Sequence, residues 1–407
     1  MPDSPSTLSG RRRLRQGRDR LATALVTAGG IGAIVALLAI GLFLAVEVMP
    51  LFWSSEATET VSQRALWLPR EGADGAVQYR WDPTATLPTE DVARVSLVPL
   101  AWGTLEAAAW ALLIAIPLAL GAAAHSALFM STRLRSRVKP TLELMEALPG
   151  VVIGFIAGLV LAPWVDRHLA DVLTLLILLV PGLLLASGLR SCLPPRLQQA
   201  IPLSWAGLWL LPWLLLILAA AHGLSPWLEA WVFGGDLHRW LEVRLGLDIT
   251  VRNAMIVGMA MGFAVMPSVY ALAEDALSGV PRSLAEGAQA LGATRWQTLW
   301  RVVLPAASPG ILSAVMIGAG RAVGETMIVL MASGNAALMT WNPLDGLRSL
   351  AATIAIELPE AGPESLHYRL LLLAALLLFV FTFLVNTLAE WVRSRLRRRY
   401  RRLGSGR

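Results

Sequence analysis

The 407-residue chain is poor in the side chains most soluble catalysts rely on: one lysine, one cysteine, five histidines, and only 15% charged residues in all. The lone lysine, Lys139, precedes Pro140, so no glycine-rich loop ending in Gly-Lys-Ser/Thr exists to cradle nucleotide phosphates. The lone cysteine, Cys192, excludes an internal disulfide, a cysteine-rich zinc site and an iron–sulfur cluster held by this chain alone. His125, His168, His222, His238 and His367 are scattered singly, with no His-Glu-x-x-His helix. No Gly-x-Ser-x-Gly elbow is present; Gly404-Ser405-Gly406 sits in a basic tail.

What is abundant is apolar: 56% of residues are hydrophobic, with 16 Trp and 34 Gly. That composition belongs to a membrane protein, in which Trp gathers at the interfaces and Gly permits close helix packing. Windows of about 20 residues give eight spans, roughly 23–49, 101–129, 149–165, 170–189, 203–221, 254–273, 309–332 and 369–390. The expected fold is therefore all-α, a polytopic helical bundle. The net charge of +6 does not point to nucleic acid. With the amino terminus inside, 23 of the 34 basic residues fall on the inner segments, among them six arginines between Arg11 and Arg20 and eight after residue 392. This positive-inside bias predicts cytoplasmic termini, with the arginine clusters lying against anionic lipid.

The first span is too long for a signal-peptide core and has no small-residue cleavage site, so it reads as an uncleaved helix after a basic tail of residues 1–22. Residues 50–99, with Pro83 and Pro88, predict a packed outer loop or small hairpin. The region from about 166 to 252 reads as an inserted helical hairpin turning at Ser191-Cys192-Leu193-Pro194-Pro195. It interrupts a main unit expected over 100–392, and residues 393–407 form a second basic tail.

Two constellations carry function. The first is the loop 281–305, predicted as two short helices: Ser283-Leu284-Ala285-Glu286 fits a capping box, Gly292 suits a left-handed helix end, and Thr294-Arg295-Trp296-Gln297 fits a second box. The second is Gly320-Arg321-Ala322-Val323-Gly324-Glu325-Thr326 in the seventh span. There Arg321 and Glu325 are predicted to stack at i and i+4 on one helical face, beside a Gly320/Gly324 ridge open to another helix. Charges at membrane depth face the bundle interior or a water-filled path, and the planar fork of Arg suits oxyanions. A structural ion pair is the rival reading.

The run Glu286-Gly287-Ala288, three residues, Gly292, nine residues, Val302, one residue, Leu304-Pro305 resembles the EAA loop of bacterial ABC importer permeases, with Gly287 for the first Ala and Val302 for Ile. The Arg321 run, with Trp102-Gly103-Thr104-Leu105 and Ala147-Leu148-Pro149-Gly150-Val151-Val152-Ile153-Gly154-Phe155, is similar to phosphate-specific importer permeases of the PstC type, although the family commonly has a small hydroxyl residue at the position of Gly150. The resemblance implies a type I (MetI-like) permease in the bacterial inner membrane, moving inorganic phosphate by alternating access. It implies coupling through Glu286, Gly287, Ala288, Gly292, Leu304 and Pro305, and a substrate path including Arg321, Glu325 and Thr326. The anion would meet Arg321, and Glu325 would accept a hydrogen bond from protonated phosphate. The implied partners are a second homologous permease, a dimer of ATP-binding subunits that holds the ATP and Mg, and a periplasmic phosphate-binding protein. This chain would bind no cofactor and catalyse nothing itself. Another oxyanion (sulfate, molybdate or phosphonate), or a non-transporting membrane sensor, stays open from the residues alone.

Overall fold

The computed structural model describes residues 5–53, 66–71, 77–79, 81–82, 94–192, 206–363 and 365–404. Pro83, Pro88, residues 193–195 of the expected hairpin turn, and Ser405-Gly406 lie outside the described residues. Among those described, eight helices are long and apolar enough to cross a membrane. In chain order the helices used below are α1 (Pro5–Val48), α2 (Val98–Leu128), α3 (Thr132–Glu146), α4 (Gly150–Arg167), α5 (Leu169–Cys192), α6 (Ala206–Val232), α7 (Ala254–Ser278), α8 (Arg282–Ala290), α9 (Arg295–Gly324), α10 (Met327–Ala332), α11 (Leu350–Glu357) and α12 (Leu366–Gly404). Helices α4 and α9 each contain a π-turn, at Ala157–Leu161 and Leu299–Val303. Two antiparallel ribbons pair Arg70–Glu71 with Val77–Gln78 and Trp81–Asp82 with Arg94–Val95.

Helix α7 is the axis of the bundle: 67% of its apolar window is buried, against 11% for the first span. It packs most closely on α2 and α9. On α2 the contact is a stripe repeating every four residues, Ala107, Ala111, Ala115, Ala119 and Ala123, all essentially inaccessible. A methyl side chain every helical turn lets backbones approach, and van der Waals contact replaces the hydrophobic drive that lipid removes. Facing it, a Cβ on Gly258 would stand 2.7 Å from Trp110 Cβ, so any side chain there would push α2 away.

In the region 166–252, α5 packs on α6, pinned where Asp171 accepts hydrogen bonds from the Ser225 hydroxyl and from His222 Nδ1 at 2.9 Å. The second of these helices runs to Val232, eleven residues past the predicted end at 221. Pro212 and Pro226 lie inside that helix, where lipid offers no alternative partner for the backbone. The outer segment is tied to the bundle by Leu66, Trp81, Val95 and Leu97, buried with Leu44, Val48 and Leu370–Ala374.

Candidate functional site: a broken helix and an exposed loop

The seventh span is not one helix. Helix α9 stops at Gly324, Glu325 takes extended backbone (φ −72°, ψ 120°), and α10 restarts at Met327. Such a break is tolerated at membrane depth only where protein or a polar path covers it. Here the cover is α4. Gly150, Gly154 and Gly158 recur every fourth residue along it. A Cβ at Gly154 would stand 2.8 Å from the Met327 carbonyl oxygen, and one at Gly158 would overlap that of Met331. The glycine stripe is therefore the groove in which α10 lies. A Cβ at Gly150 would stand 2.7 Å from Glu325 Oε1, so the carboxylate occupies the space that a side chain at this position would need.

The break overturns the expected Arg321–Glu325 stack, because the two residues do not share a helix. Arg321, on the last turn of α9, instead donates from Nη1 to Glu146 Oε1 at 2.8 Å and to Ser268 Oγ at 3.4 Å. The Glu325 side chain makes no hydrogen bond or ion pair among the described residues, and Thr326 Oγ1 lies 3.4 Å from the Gly324 carbonyl that it can donate to. The expected glycine ridge is also redistributed. Among the described residues nothing comes within 4 Å of a Cβ built at Gly324, whereas Gly320 faces Asn386 of α12, and the close approaches to α7 are at Gly310, against Ala276, and Gly318, against Val269.

Of the two short helices expected in the loop 281–305, the first is α8, and the second, capped by Thr294, runs on without a break as the start of α9. Helix α8 begins two residues earlier than predicted, with Pro281 at its N-cap, so Ser283 lies within the helix and makes no cap; proline's fixed φ already suits that position. Gly292 has φ +90°, the left-handed region expected of it. The second capping box is complete: Gln297 N donates to Thr294 Oγ1 at 3.2 Å and Thr294 N to Gln297 Oε1 at 2.9 Å. Glu286 and Gly287 are exposed and Ala288 is half-buried. Leu304 and Pro305 follow the π-turn into α9. Exposed apolar side chains stand among the polar ones of this loop: Leu291 is 92% exposed, and the exposed Trp296 and Trp300 pack edge to face on each other.

Sequence reasoning missed the clamp beneath this loop. Glu274, fully buried near the end of α7, receives both Arg135 and Lys139 of α3, the latter at 3.0 Å, while Ser278 Oγ donates to Glu274 Oε1 at 2.9 Å. Burial pushes the Lys139 ammonium pKa down, but its bonds to Asp275 and Glu274 and their negative charges outweigh that, and it rises above the usual lysine value. The missing signal was periodic: Arg135, Lys139, Leu142 and Glu146 fall at i, i+4, i+7 and i+11, one face of α3.

The opposite end of the bundle is closed by Trp102-Gly103-Thr104. Trp102 Nε1 donates to the Thr340 carbonyl at 2.9 Å, Leu350 N donates to Thr104 Oγ1 at 3.0 Å, and Gly103 leaves room for the Arg348 carbonyl. There Glu357 accepts from Trp81 Nε1, Arg348 and His367.

Comparison with known proteins matches residues 115–401 to the family described as binding-protein-dependent transport system inner membrane component. The chain is 28% identical to the phosphate transport system permease protein PstC 1 of Mycobacterium tuberculosis over 312 residues, 76% of this chain and 75% of that one. It is likewise 28% identical to PstC of Mesorhizobium japonicum, covering 74% of each. Among solved structures, a chain of the inward-facing MetNI methionine ABC transporter matches at 16% identity and a TM-score of 0.40, covering 74% of this chain and 95% of that one. With eight apolar spans and a match over most of its length, the chain belongs to the binding-protein-dependent transport system inner membrane component family, the multi-pass permease subunits of ABC transporters.

Proposed function

We propose that this chain is one permease half of an ATP-driven phosphate importer and moves inorganic phosphate by alternating access. The observation that carries this reading is Arg321: a guanidinium on the last turn before a helix break, one third exposed, with the carboxylate of Glu325 and the hydroxyl of Thr326 in the break itself. An arginine fork binds a tetrahedral oxyanion through charge-assisted bonds. Glu325 accepts a hydrogen bond from the protonated oxygen of hydrogen phosphate and repels sulfate, which lacks that proton. The relatives named as phosphate permeases support the same substrate.

The exposed α8, with Glu286, Gly287, Ala288 and Gly292, and Leu304-Pro305 just past the π-turn of α9, serve as the coupling element. They dock on a partner ATP-binding subunit dimer, which holds the ATP and Mg. A second homologous permease and a periplasmic phosphate-binding protein complete the assembly. The termini then lie in the cytoplasm, with residues 100–392 as the transporting unit and 166–252 as its insertion.

The test is Arg321→Gln in the assembled complex in liposomes. The Arg321–Glu146 pair is 32% and 42% exposed, so its loss costs about 0–1 kcal/mol and assembly persists. Phosphate uptake is expected to vanish while assembly with the ATPase stays at the parent level. Parent-level uptake would remove Arg321 from the path, and sulfate competing equally with phosphate would make the substrate a different oxyanion.

A further inference from the structure

Helix α3 touches the two functional regions with its two ends. Its first half is clamped to α7 through Arg135 and Lys139 on Glu274, and through Lys139 on Asp275. Three residues beyond Ser278, where α7 ends, Pro281 opens the exposed α8. Its last residue is Glu146, the carboxylate that holds Arg321. From Arg135 to Glu146 is eleven helical steps, about 16 Å along a helix that is continuous through Pro140. One face of one helix thus joins the base of the exposed loop to the proposed anion-binding arginine.

We propose that Glu146 is a displaceable counter-ion. It occupies Arg321 when the path is empty, competes with phosphate for that guanidinium, and is withdrawn by α3 when the loop is displaced. The inference rests on Arg321 being the anion site. The contact is built to be exchanged: Nη1 alone serves both Glu146 Oε1 and Ser268 Oγ, the ion pair is partly exposed on both sides, and Nη2 and Nε, which make no hydrogen bond among the described residues, are left to an incoming oxyanion. With Glu146 in place the Arg321–Glu146 pair is neutral and an anion gains little. With Glu146 withdrawn the full positive charge faces the path. Its return expels bound phosphate by substitution, so that tight capture does not become slow release. Apparent affinity is the intrinsic affinity reduced by the fraction of molecules in which Arg321 is free.

The experiment is equilibrium binding of radiolabelled inorganic phosphate to the complete membrane complex without binding protein, for the parent, Glu146→Gln and Arg321→Gln. A pair closed in nine molecules of ten predicts about tenfold tighter binding for Glu146→Gln in the nucleotide-free state. The parent should gain similar affinity when a non-hydrolysable ATP analogue closes the ATPase, and Glu146→Gln should gain almost none. In transport, Glu146→Gln should lower KM and kcat together, which a purely structural residue would not do. Unchanged or weaker phosphate binding by Glu146→Gln, with Arg321→Gln binding none, overturns the counter-ion and leaves the anion site intact. Parent-like binding and uptake by Arg321→Gln brings down the anion site, and the counter-ion with it. If Glu146→Gln fails to assemble, Glu146→Asp, one methylene shorter, decides: an intermediate gain supports the proposal and no gain overturns it.

Discussion

Each end of the bundle is organised around one acid that gathers cations, and the two acids are set differently. Glu274, at the loop end, is 0% exposed and joins α3 to α7 through a lysine and an arginine. Glu357, at the opposite end, is 14% exposed and shares Arg348, His367 and the Trp81 indole among the outer segment, α11 and α12. The first sits at the root of an exposed element and links helices across the bundle. The second ties an added outer layer to a bundle that Trp102, Gly103 and Thr104 already close. Burial is complete where two helices of the bundle are joined, and looser bonding suffices where an outer layer is held down.

Glu274→Gln tests that contrast most severely. It keeps a polar side chain near Ser278 but removes the charge facing Arg135 and Lys139, at a cost of about 3 kcal/mol for a broken buried pair. Thermal unfolding of the detergent-solubilised complex should show a clear loss, together with protease sensitivity at 281–305. If Glu274→Gln unfolds as the parent does, the clamp contributes nothing. Glu357→Gln should cost less, about 1–2 kcal/mol, because one charge-assisted network is weakened while Trp81 keeps an acceptor. Its damage should be confined to protection of residues 66–97, with transport nearly unchanged. Equal effects from the two substitutions would erase the distinction between root and cover.

The smallest effect concerns pH. The folded protein holds the Lys139 proton more tightly than the unfolded chain does. Its contribution is complete below the ordinary lysine value of 10.5 and fades only as pH rises through the raised folded value. The loop end should thus be insensitive to pH through the neutral range. At the opposite end, burial raises the pKa of Asp345, the charge of Asp248 adds to this, and hydrogen bonds with Asn342 and Thr340 only partly offset it. The fold favours its protonated form, so stability there is fully present below the ordinary 3.8 and falls as pH rises through the higher folded value. Asp345→Asn should flatten the acid limb of a melting-temperature profile. A flattening produced by Lys139→Met instead would assign the titration to the wrong end.

The spans were legible because about 20 apolar residues are needed to cross lipid, and the capping box at Thr294 because its bonds are local. Gly292 was readable for the same reason, its φ being set by the chain on either side. What escaped was set by tertiary contact. Nothing within Arg321-Ala322-Val323-Gly324-Glu325 announces that the helix breaks after Gly324, since the partner that permits it, the Gly150, Gly154 and Gly158 groove, lies some 170 residues earlier. Glu146 was invisible as a partner of Arg321 for the same reason, although the face of α3 that carries it was readable. The Ser283 cap failed locally, because Pro281 had already opened the helix.

The π-turn at Leu299–Val303 adds one residue to the winding between the Thr294 cap and the length of α9. A single inserted residue advances a helix by about 100° of azimuth. The bearing of Leu291 and Trp296 on the outer surface is therefore fixed relative to Gly310, Gly318 and Arg321 by that one extra step. Deleting one residue within 299–303 would leave the inner faces of α9 where they are and swing the loop around the rim like a misaligned gear tooth, separating the aim of the exposed loop from the packing of the helix behind it.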